Sequence, residues 1–461
     1  MRKRWLTFPI FFCLLTQVSA QILPGISTSN YNGVLGTFNN PSNVLGKYKW
    51  DVHIVGVNVI GANENSKVKI SDVGEDNFLT EKLIGTSGYN NANVNLEVPA
   101  ISFLVGAGKK SSFAVTTRAR VFANATNIDA RLASALLEDE TSNLYPYTIL
   151  PGNASLVKVS GITDYGFTWA NELMNKGQHY LKGGITIKYV SGVGNANINA
   201  DVAGVINQDA DGEYISPGTG TIALKAGGST LLDDFEFNQL YNFKGGGAGF
   251  DVGFTYEFRP QGWGTATTKE GRRAHGNIPY KFKIAGSIMD LGKVKFTPDP
   301  DLSKAYDVHI ASNQKFYLSA FEETSIEDVG EVFDAYPQYF TSKGAITESY
   351  KVSLPTTLRL NIDFNLGKGF FANADAQLAM KTENTMDNIQ VYNSFSVTPR
   401  FEGKMLGVFL PVTFNQLSGV TIGTAFHLGP LYIGSGSIIS LITGGSKQAD
   451  AFFGFRFGGL K

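Results

Sequence analysis

Residues 249–259 read Gly249-Phe250-Asp251-Val252-Gly253-Phe254-Thr255-Tyr256-Glu257-Phe258-Arg259. Successive side chains of an extended chain point to opposite faces. Phe250, Val252, Phe254, Tyr256 and Phe258 therefore share one face, and Asp251, Gly253, Thr255, Glu257 and Arg259 share the other. Residues 358–365 repeat the pattern, with Leu358, Leu360, Ile362 and Phe364 opposite Arg359, Asn361, Asp363 and Asn365. Earlier in the chain, Tyr48, Trp50, Val52 and Ile54 oppose Lys49, Asp51 and His53. Phe113, Val115, Thr117, Ala119 and Val121 oppose Arg118 and Arg120. Near the carboxy terminus Phe453, Phe455 and Phe457 oppose Phe452, Gly454 and Arg456.

Such alternation fits a soluble sandwich, which buries its apolar face, or a membrane barrel, which turns that face to lipid and the polar one to its lumen. Length separates the two. Sandwich strands usually run about five or six residues, whereas 246–259 and 350–366 exceed the roughly 9–11 needed to cross a bilayer. Aromatic residues gather at strand ends, as at Tyr48/Trp50 and Tyr256/Phe258, where membrane barrels carry their girdles. Connections alternate as well. The long ones are 61–91, 125–154, 195–218, 260–278, 298–348 and 436–448. Among the short ones are Ala107-Gly108-Lys109-Lys110, Leu291-Gly292-Lys293, Gly367-Lys368-Gly369, Gly403-Lys404 and Gly429-Pro430. Short periplasmic turns and long outer loops are the barrel rhythm. The expectation is an all-β chain folded as a transmembrane antiparallel β-barrel of about 14 strands, in a range of about 14–16. Pieces near 293–297 and 430–435 set the upper limit. Helical spacing over 128–140 and 325–340 predicts two short amphipathic helices over the outer mouth.

Composition agrees. Gly contributes 52 of 461 residues, aromatics 12% and charged residues 17%, against roughly 25% charged in ordinary globular proteins. Apolar content of 43% with 39 Lys and Arg against 40 Asp and Glu excludes a disordered chain and a cationic nucleic-acid binder. Arg2-Lys3-Arg4, the apolar run 6–15 and the small residues Val18-Ser19-Ala20 predict a secretory leader, 1–20, cleaved near Ala20. Its apolar run is too short to span a bilayer as a helix. Loss of the leader would remove Cys13, the single cysteine, together with three cations. That would leave 36 Lys and Arg against 40 Asp and Glu, a net charge of −4 in a cysteine-free chain. Elsewhere no apolar run is long enough for a spanning helix, so only a closed barrel could cross.

No catalytic, cofactor-binding or metal-binding residues are assigned. His53, His179, His275, His309 and His427 show no paired metal-ligand spacing. No serine has the glycine-flanked elbow of an α/β-hydrolase. Asp209-Ala210-Asp211-Gly212-Glu213 lacks the later ligands of a calcium loop and reads as an acidic hairpin tip. Pro298-Asp299-Pro300-Asp301 reads as a rigid polar turn. Gly245-Gly246-Gly247-Ala248-Gly249 is followed by no Lys-Ser/Thr and by a strand, which excludes a phosphate loop. The charges expected to face the lumen are Arg118, Arg120, Lys188, Asp251, Glu257, Arg359, Asp363 and Arg400, with Arg259, Asp375, Glu402 and Arg456 beside them. Their mixed signs predict ion-pair ladders, not a single-sign selectivity ring.

Several segments resemble a family of outer-membrane barrels of unassigned activity common in Bacteroidota. They run in order: Ser29-Asn30-Tyr31-Asn32-Gly33; Asn40-Pro41-Ser42 and Tyr48-Lys49-Trp50-Asp51; Gly184-Ile185-Thr186-Ile187-Lys188-Tyr189; 249–257; Ser287-Ile288-Met289-Asp290-Leu291-Gly292; Leu354-Pro355-Thr356; Thr398-Pro399-Arg400; and Leu428-Gly429-Pro430-Leu431. The Asn40-Pro41-Ser42 motif is similar to the amino-terminal segment of FadL-like transporters of hydrophobic compounds. That resemblance implies a 14-stranded barrel from 48 to 461 with residues 21–47 as a hatch. Many relatives resemble fusions to an OmpA-like peptidoglycan-binding domain. This chain ends soon after Phe457, so no cell-wall anchoring is expected, and its last strand lacks the terminal aromatic that barrel-assembly machinery prefers.

The sequence therefore predicts a non-enzymatic protein of the outer membrane. Its expected partners are outer-membrane lipid, the barrel-assembly machinery and other surface or secretion proteins, with no nucleic acid and no cofactor. Two functions stay open: a passive carrier or channel for a small compound, an apolar one among the options, and a non-transporting accessory barrel of a secretion or surface-assembly complex. An outer-membrane hydrolase has no supporting constellation.

Overall fold

In lipid every backbone N–H and C=O must find a partner within the protein, and the computed structural model meets that demand by closing a sheet on itself. It describes residues 23–72, 88–136, 145–228, 246–261, 263, 278–322, 324, 328–383 and 385–460. The leader assigned to 1–20 lies outside them.

Fourteen antiparallel strands form the wall. They are β1 (Tyr48–Asn63), β2 (Tyr89–Pro99, continued by Ser102–Ala107), β3 (Ser111–Asp129), β4 (Ser155–Lys176), β5 (His179–Asp209), β6 (Gly246–Phe258) and β7 (Phe282–Phe296). The second half comprises β8 (Tyr350–Ser353, continued by Thr357–Gly367), β9 (Phe370–Ala379), β10 (Ser394–Glu402), β11 (Leu406–Phe409 and Val412–Asn415), β12 (Gly419–Ile422 and Thr424–Leu428), β13 (Leu431–Ser435) and β14 (Gln448–Leu460). Each strand pairs with the next. The ring shuts where β1 pairs with β14, from Tyr48 opposite Leu460 to Ala62 opposite Gln448.

The period-two pattern sets which face meets lipid. Phe254, Ile187 and Phe364 are 49%, 52% and 50% exposed, whereas their inward neighbours Thr255 and Asp363 are fully buried. No helix among the described residues is long and apolar enough to cross a membrane.

Several sequence expectations change. Leu291-Gly292-Lys293 is not a turn but lies inside β7, just past a bulge where the register with β6 shifts between Ile288 and Leu291. The piece 293–297 thus belongs to β7, while Leu431–Ser435 is a strand in its own right, which brings the count to fourteen. The two ends of the 260–278 connection leave from the rim opposite to the one expected, and residues 262 and 264–277 lie outside the described residues. Phe258 pairs with both His179 and Phe282, so it sits at the rim carrying the tight turn after Lys176, the periplasmic one.

Segments 195–218 and 298–348 are largely built structure. β5 continues past its pairing with β6 and makes a hairpin with Gly212–Gly228. Lys304–Ile310 and Phe340–Ala345 extend that sheet outward. Its core packs Tyr306, Phe316, Phe333 and Phe340, with Phe333 on the short helix Val329–Ala335. The other predicted outer helix spans Ala130–Leu136.

A cation placed in the lipid band tests the assigned facing. Phe254→Arg should cost about 2–4 kcal/mol at mid-bilayer, read as loss of the compact, heat-modifiable form after refolding. Thr255→Arg, one residue along, should instead leave the lipid face intact and disturb the lumen.

Candidate functional site

The amino-terminal segment 23–47, expected from the sequence as a hatch, is held by polar contacts spread around the lumen. Asn40 is extended, as the residue before a proline prefers, and caps the turn Pro41–Val44 by accepting from Ser42 N at 2.9 Å. Its Nδ2 donates to Phe254 O and Gly286 O, each at 3.1 Å, on the paired strands β6 and β7. Ser42 Oγ donates to Asn40 Oδ1 and lies 2.7 Å from Thr255 Oγ1. A Cβ on Gly184 would fall 2.5 Å from the Pro41 carbonyl carbon, and one on Gly253 would collide with Asn40. The Asn40-Pro41-Ser42 turn thus docks where the wall is stripped to backbone.

Other strands hold the rest of the segment. Lys182 Nζ donates to Leu45 O at 2.8 Å, and Ser287 Oγ to Asn39 O at 2.7 Å. Arg359 Nη1 donates to Asn39 Oδ1 at 3.2 Å. Asp51 accepts from Val34 N at 2.8 Å and from Arg456 Nη1 at 2.8 Å, while Arg456 Nη2 also donates to Tyr31 O. Asn30 Nδ2 donates to Glu402 at 2.8 Å and its Oδ1 accepts from Tyr280 OH at 2.8 Å. Burial lowers the hatch Lys47 ammonium to about 8, against the raising influence of Glu402 and Glu257.

Two patches of the segment are apolar, the first clustering Tyr31, Val34, Val44 and Leu45 with Tyr48, Leu104, Ala114, Ala170, Tyr280 and Phe371. In the second, Leu23, Ile26, Leu35 and Phe38 pack against Phe409, Ala425, Tyr432 and Phe452 of the wall. Beside this bed the wall itself is interrupted. β1 and β2 pair over Trp50–His53 and again from Asn58 to Asn63, but residues 54–57 and 98–101 between them carry no ladder pairing. Ala100 O instead meets His53 Nδ1 at 3.1 Å, and His53 Nε2 lies 2.9 Å from Tyr432 OH. Ile54, Val55 and Ile101 are exposed on the lipid side of the same place.

Six adjacent strands contribute a buried ion network. Asp290 accepts from Arg120 Nη1 and Nη2 at 2.9 and 3.0 Å and from Lys188 Nζ at 2.6 Å. Asp164 pairs with Arg118 at 3.1 Å and with Arg120 at 2.5 Å, Asp251 with Lys188 at 2.7 Å, and Glu97 with Arg118 at 3.6 Å. Asp290 stands on the β7 bulge with φ 57°, and Asp251 across the ladder accepts its backbone N–H at 2.7 Å. A second cluster joins Asp363 to Arg400 at 2.7 Å and to Lys283 at 3.3 Å, with Glu402 on Arg400 at 2.8 Å. Glu257 pairs with Arg259 at 2.7 Å near the periplasmic rim. The charges read as inward from the sequence therefore divide among the first network (Arg118, Arg120, Lys188, Asp251), the second (Asp363, Arg400) and hatch or rim contacts (Arg359, Glu257).

Sequence reasoning missed Glu97, Asp164 and Asp290. Inward parity on β2 and β4 would have found the first two. It also missed the connection after β9, which folds inward. Ile389 packs on Phe122, Ile162, Val190, Val294, Phe296, Val352 and Leu354. Ser353 N donates to Asp387 O at 2.8 Å, and Ile389 N to Ser353 O at 3.0 Å. Lys158 Nζ on β4 donates to Thr385 O, Asn388 O and Asn388 Oδ1 at 3.1–3.4 Å. Segment 23–47, the ion network and the loop carrying Ile389 all lie on the lumen side of the wall. Among the described residues no group of three or more His, Cys, Asp or Glu could hold a metal ion.

Removing one partner of a buried ion pair strands the other charge. Asp290→Ala should therefore destabilise the folded barrel by about 3–5 kcal/mol in denaturant unfolding. Lys158→Met should leave the barrel folded and make the inward loop near 385–389 cleavable by protease from outside.

No curated protein matches the chain significantly by sequence. Solved structures with a similar course include the toluene transporter TbuX of Ralstonia pickettii, at 11% identity and TM-score 0.38, covering 92% of this chain and 94% of that one. The monoaromatic hydrocarbon channel TodX in its deltaS2S3 mutant aligns at 10% identity and TM-score 0.48, over 96% and 100%. A Pseudomonas aeruginosa FadL homologue aligns at 9% and 0.31, over 96% and 98%. The family model that matches, over residues 41–436, is DUF5723, described as a family of unknown function. With most of its length inside that match, this 14-stranded β-barrel belongs to the DUF5723 family.

Proposed function

We propose that the barrel is a passive carrier for a small apolar compound, gated by movement of the hatch. One observation carries this reading: the apolar bed under the hatch adjoins the unpaired stretch of wall between β1 and β2. If Leu23, Ile26, Leu35 and Phe38 leave that bed, Phe409, Ala425, Tyr432 and Phe452 are left facing the lumen beside a breach bordered by lipid. A compound of matching polarity can take the place of the departing side chains, since burial of its apolar surface offsets theirs. The segment's remaining contacts are hydrogen bonds, which water can replace at modest net cost, and a second apolar cluster in which Tyr31, Val34, Val44 and Leu45 meet Tyr48, Leu104 and Phe371. The mixed-sign ion networks favour no charged solute.

The outer sheet on β5, Gly212–Gly228, Lys304–Ile310 and Phe340–Ala345 supports an added contact role at the cell surface. It offers no alternative account of the hatch.

Ser42 Oγ and Thr255 Oγ1 lie 2.7 Å apart, close enough to suit a disulfide between paired cysteines. A Ser42→Cys/Thr255→Cys variant, oxidised, should reduce uptake of a radiolabelled small hydrocarbon by intact cells to the level of cells lacking the barrel, and reductant should restore it. Deletion of 23–47 should create solute conductance in planar bilayers. Equal uptake before and after reduction, with no conductance in the deletion, overturns the carrier reading.

A further inference from the structure

We infer that the outer rim of β7 and β8 binds the phosphate group of a phosphorylated glycolipid in the outer leaflet. Below the β7 bulge, Ile284 faces lipid. Above it the outward series is Leu291, Lys293 and Lys295, with Lys351 directly opposite Lys295 on β8. All three lysines are exposed. Two residues along a strand separate Lys293 from Lys295 by roughly 7 Å, and a cross-strand pair stands roughly 5 Å apart at Cβ. The three ammonium groups can therefore converge on one anion.

Their depth suits a lipid headgroup. The stacked Phe258 and Phe282 rings, centroids 5.2 Å apart, mark the periplasmic end of the band. Lys293 lies about eleven residues further along β7, the length that a tilted strand needs to cross the hydrocarbon. Its β6 and β5 neighbours in the same row are Ala248 and Tyr189. Tyr189 is an outward aromatic of the kind found at a bilayer border. The Tyr189 ring packs over Gly246, its hydroxyl 3.2 Å from where a Cβ would stand, which brings it beside the row that carries the lysines.

Like charges placed directly opposite destabilise a ladder. Among the described residues no carboxylate pairs with Lys293, Lys295 or Lys351. The outer sheet, by contrast, neutralises its lysines internally, as in Lys343–Asp307 at 2.6 Å and Lys304–Asp334 at 2.7 Å. A phosphate supplies the missing charge and accepts several strong hydrogen bonds at once. The free energy that basic residues gain beside anionic headgroups makes the site cumulative over its lysines.

The test uses the full-length protein in detergent, titrated in native mass spectrometry with diphosphoryl lipid A, with its dephosphorylated form and with inorganic phosphate. Wild type should bind diphosphoryl lipid A at least roughly tenfold more tightly than Lys293→Gln/Lys295→Gln/Lys351→Gln, and the dephosphorylated form should not separate the two proteins. The Lys→Arg triple variant should keep the affinity, which distinguishes charge from a folding defect, and both variants are checked by heat-modifiable mobility. Equal binding of lipid A by wild type and the Gln variant overturns the site. Inorganic phosphate binding as tightly as the lipid overturns the lipid as its ligand.

Discussion

Closure of the sheet between β1 and β14 is the constraint from which the rest follows. Hydrocarbon offers no hydrogen-bond partner, so a membrane sheet with a free edge is untenable. Once the ladder from Tyr48–Leu460 to Ala62–Gln448 is made, the alternation along each strand has only one acceptable phase. Phe250, Phe254 and Phe364 go to lipid, and Asp251, Thr255 and Asp363 go inward. The inward set must then solve its own problem, because buried charges are tolerated only when paired. Asp290, bound by Arg120 and Lys188 and anchored through its own backbone to Asp251, is where that solution concentrates.

Such a network does more for uniqueness than for net stability. Desolvation offsets much of a buried ion pair's attraction, but a slipped register would turn Arg118, Lys188 and Asp251 toward lipid or leave them unpaired. The β7 bulge is part of the same device. The extra residue turns Asp290 inward, and the outward series restarts one residue later at Leu291. One local irregularity thereby turns a carboxylate to the lumen side and two lysines, Lys293 and Lys295, to the outward face.

The hatch exploits what closure leaves over. Its turn at Asn40-Pro41-Ser42 sits against Gly184 and Gly253, where any side chain would collide. Its ties to Lys182, Ser287, Arg359, Arg456 and Glu402 are distributed hydrogen bonds rather than a continuous apolar core. Two apolar clusters add to these ties, one through Tyr31, Val34, Val44 and Leu45 and one through Leu23, Ile26, Leu35 and Phe38, the latter beside the stretch of the β1–β2 seam that carries no pairing.

The all-β class, the phase of each strand and the inward direction of Arg118, Lys188, Asp251 and Asp363 follow from period-two alternation, a local property carried by neighbouring residues. Parity cannot cross a bulge, however. The residues around Leu291-Gly292-Lys293 therefore read as a turn, and Asp290 went unrecognised. The rim from which the 260–278 connection leaves, the inward fold of the loop carrying Ile389, and the meeting of Glu97, Asp164 and Asp290 depend on which distant strands become neighbours. Only the tertiary structure decides these, because closing the ring brings residues far apart in sequence within bonding distance, and nothing in the local pattern encodes that distance.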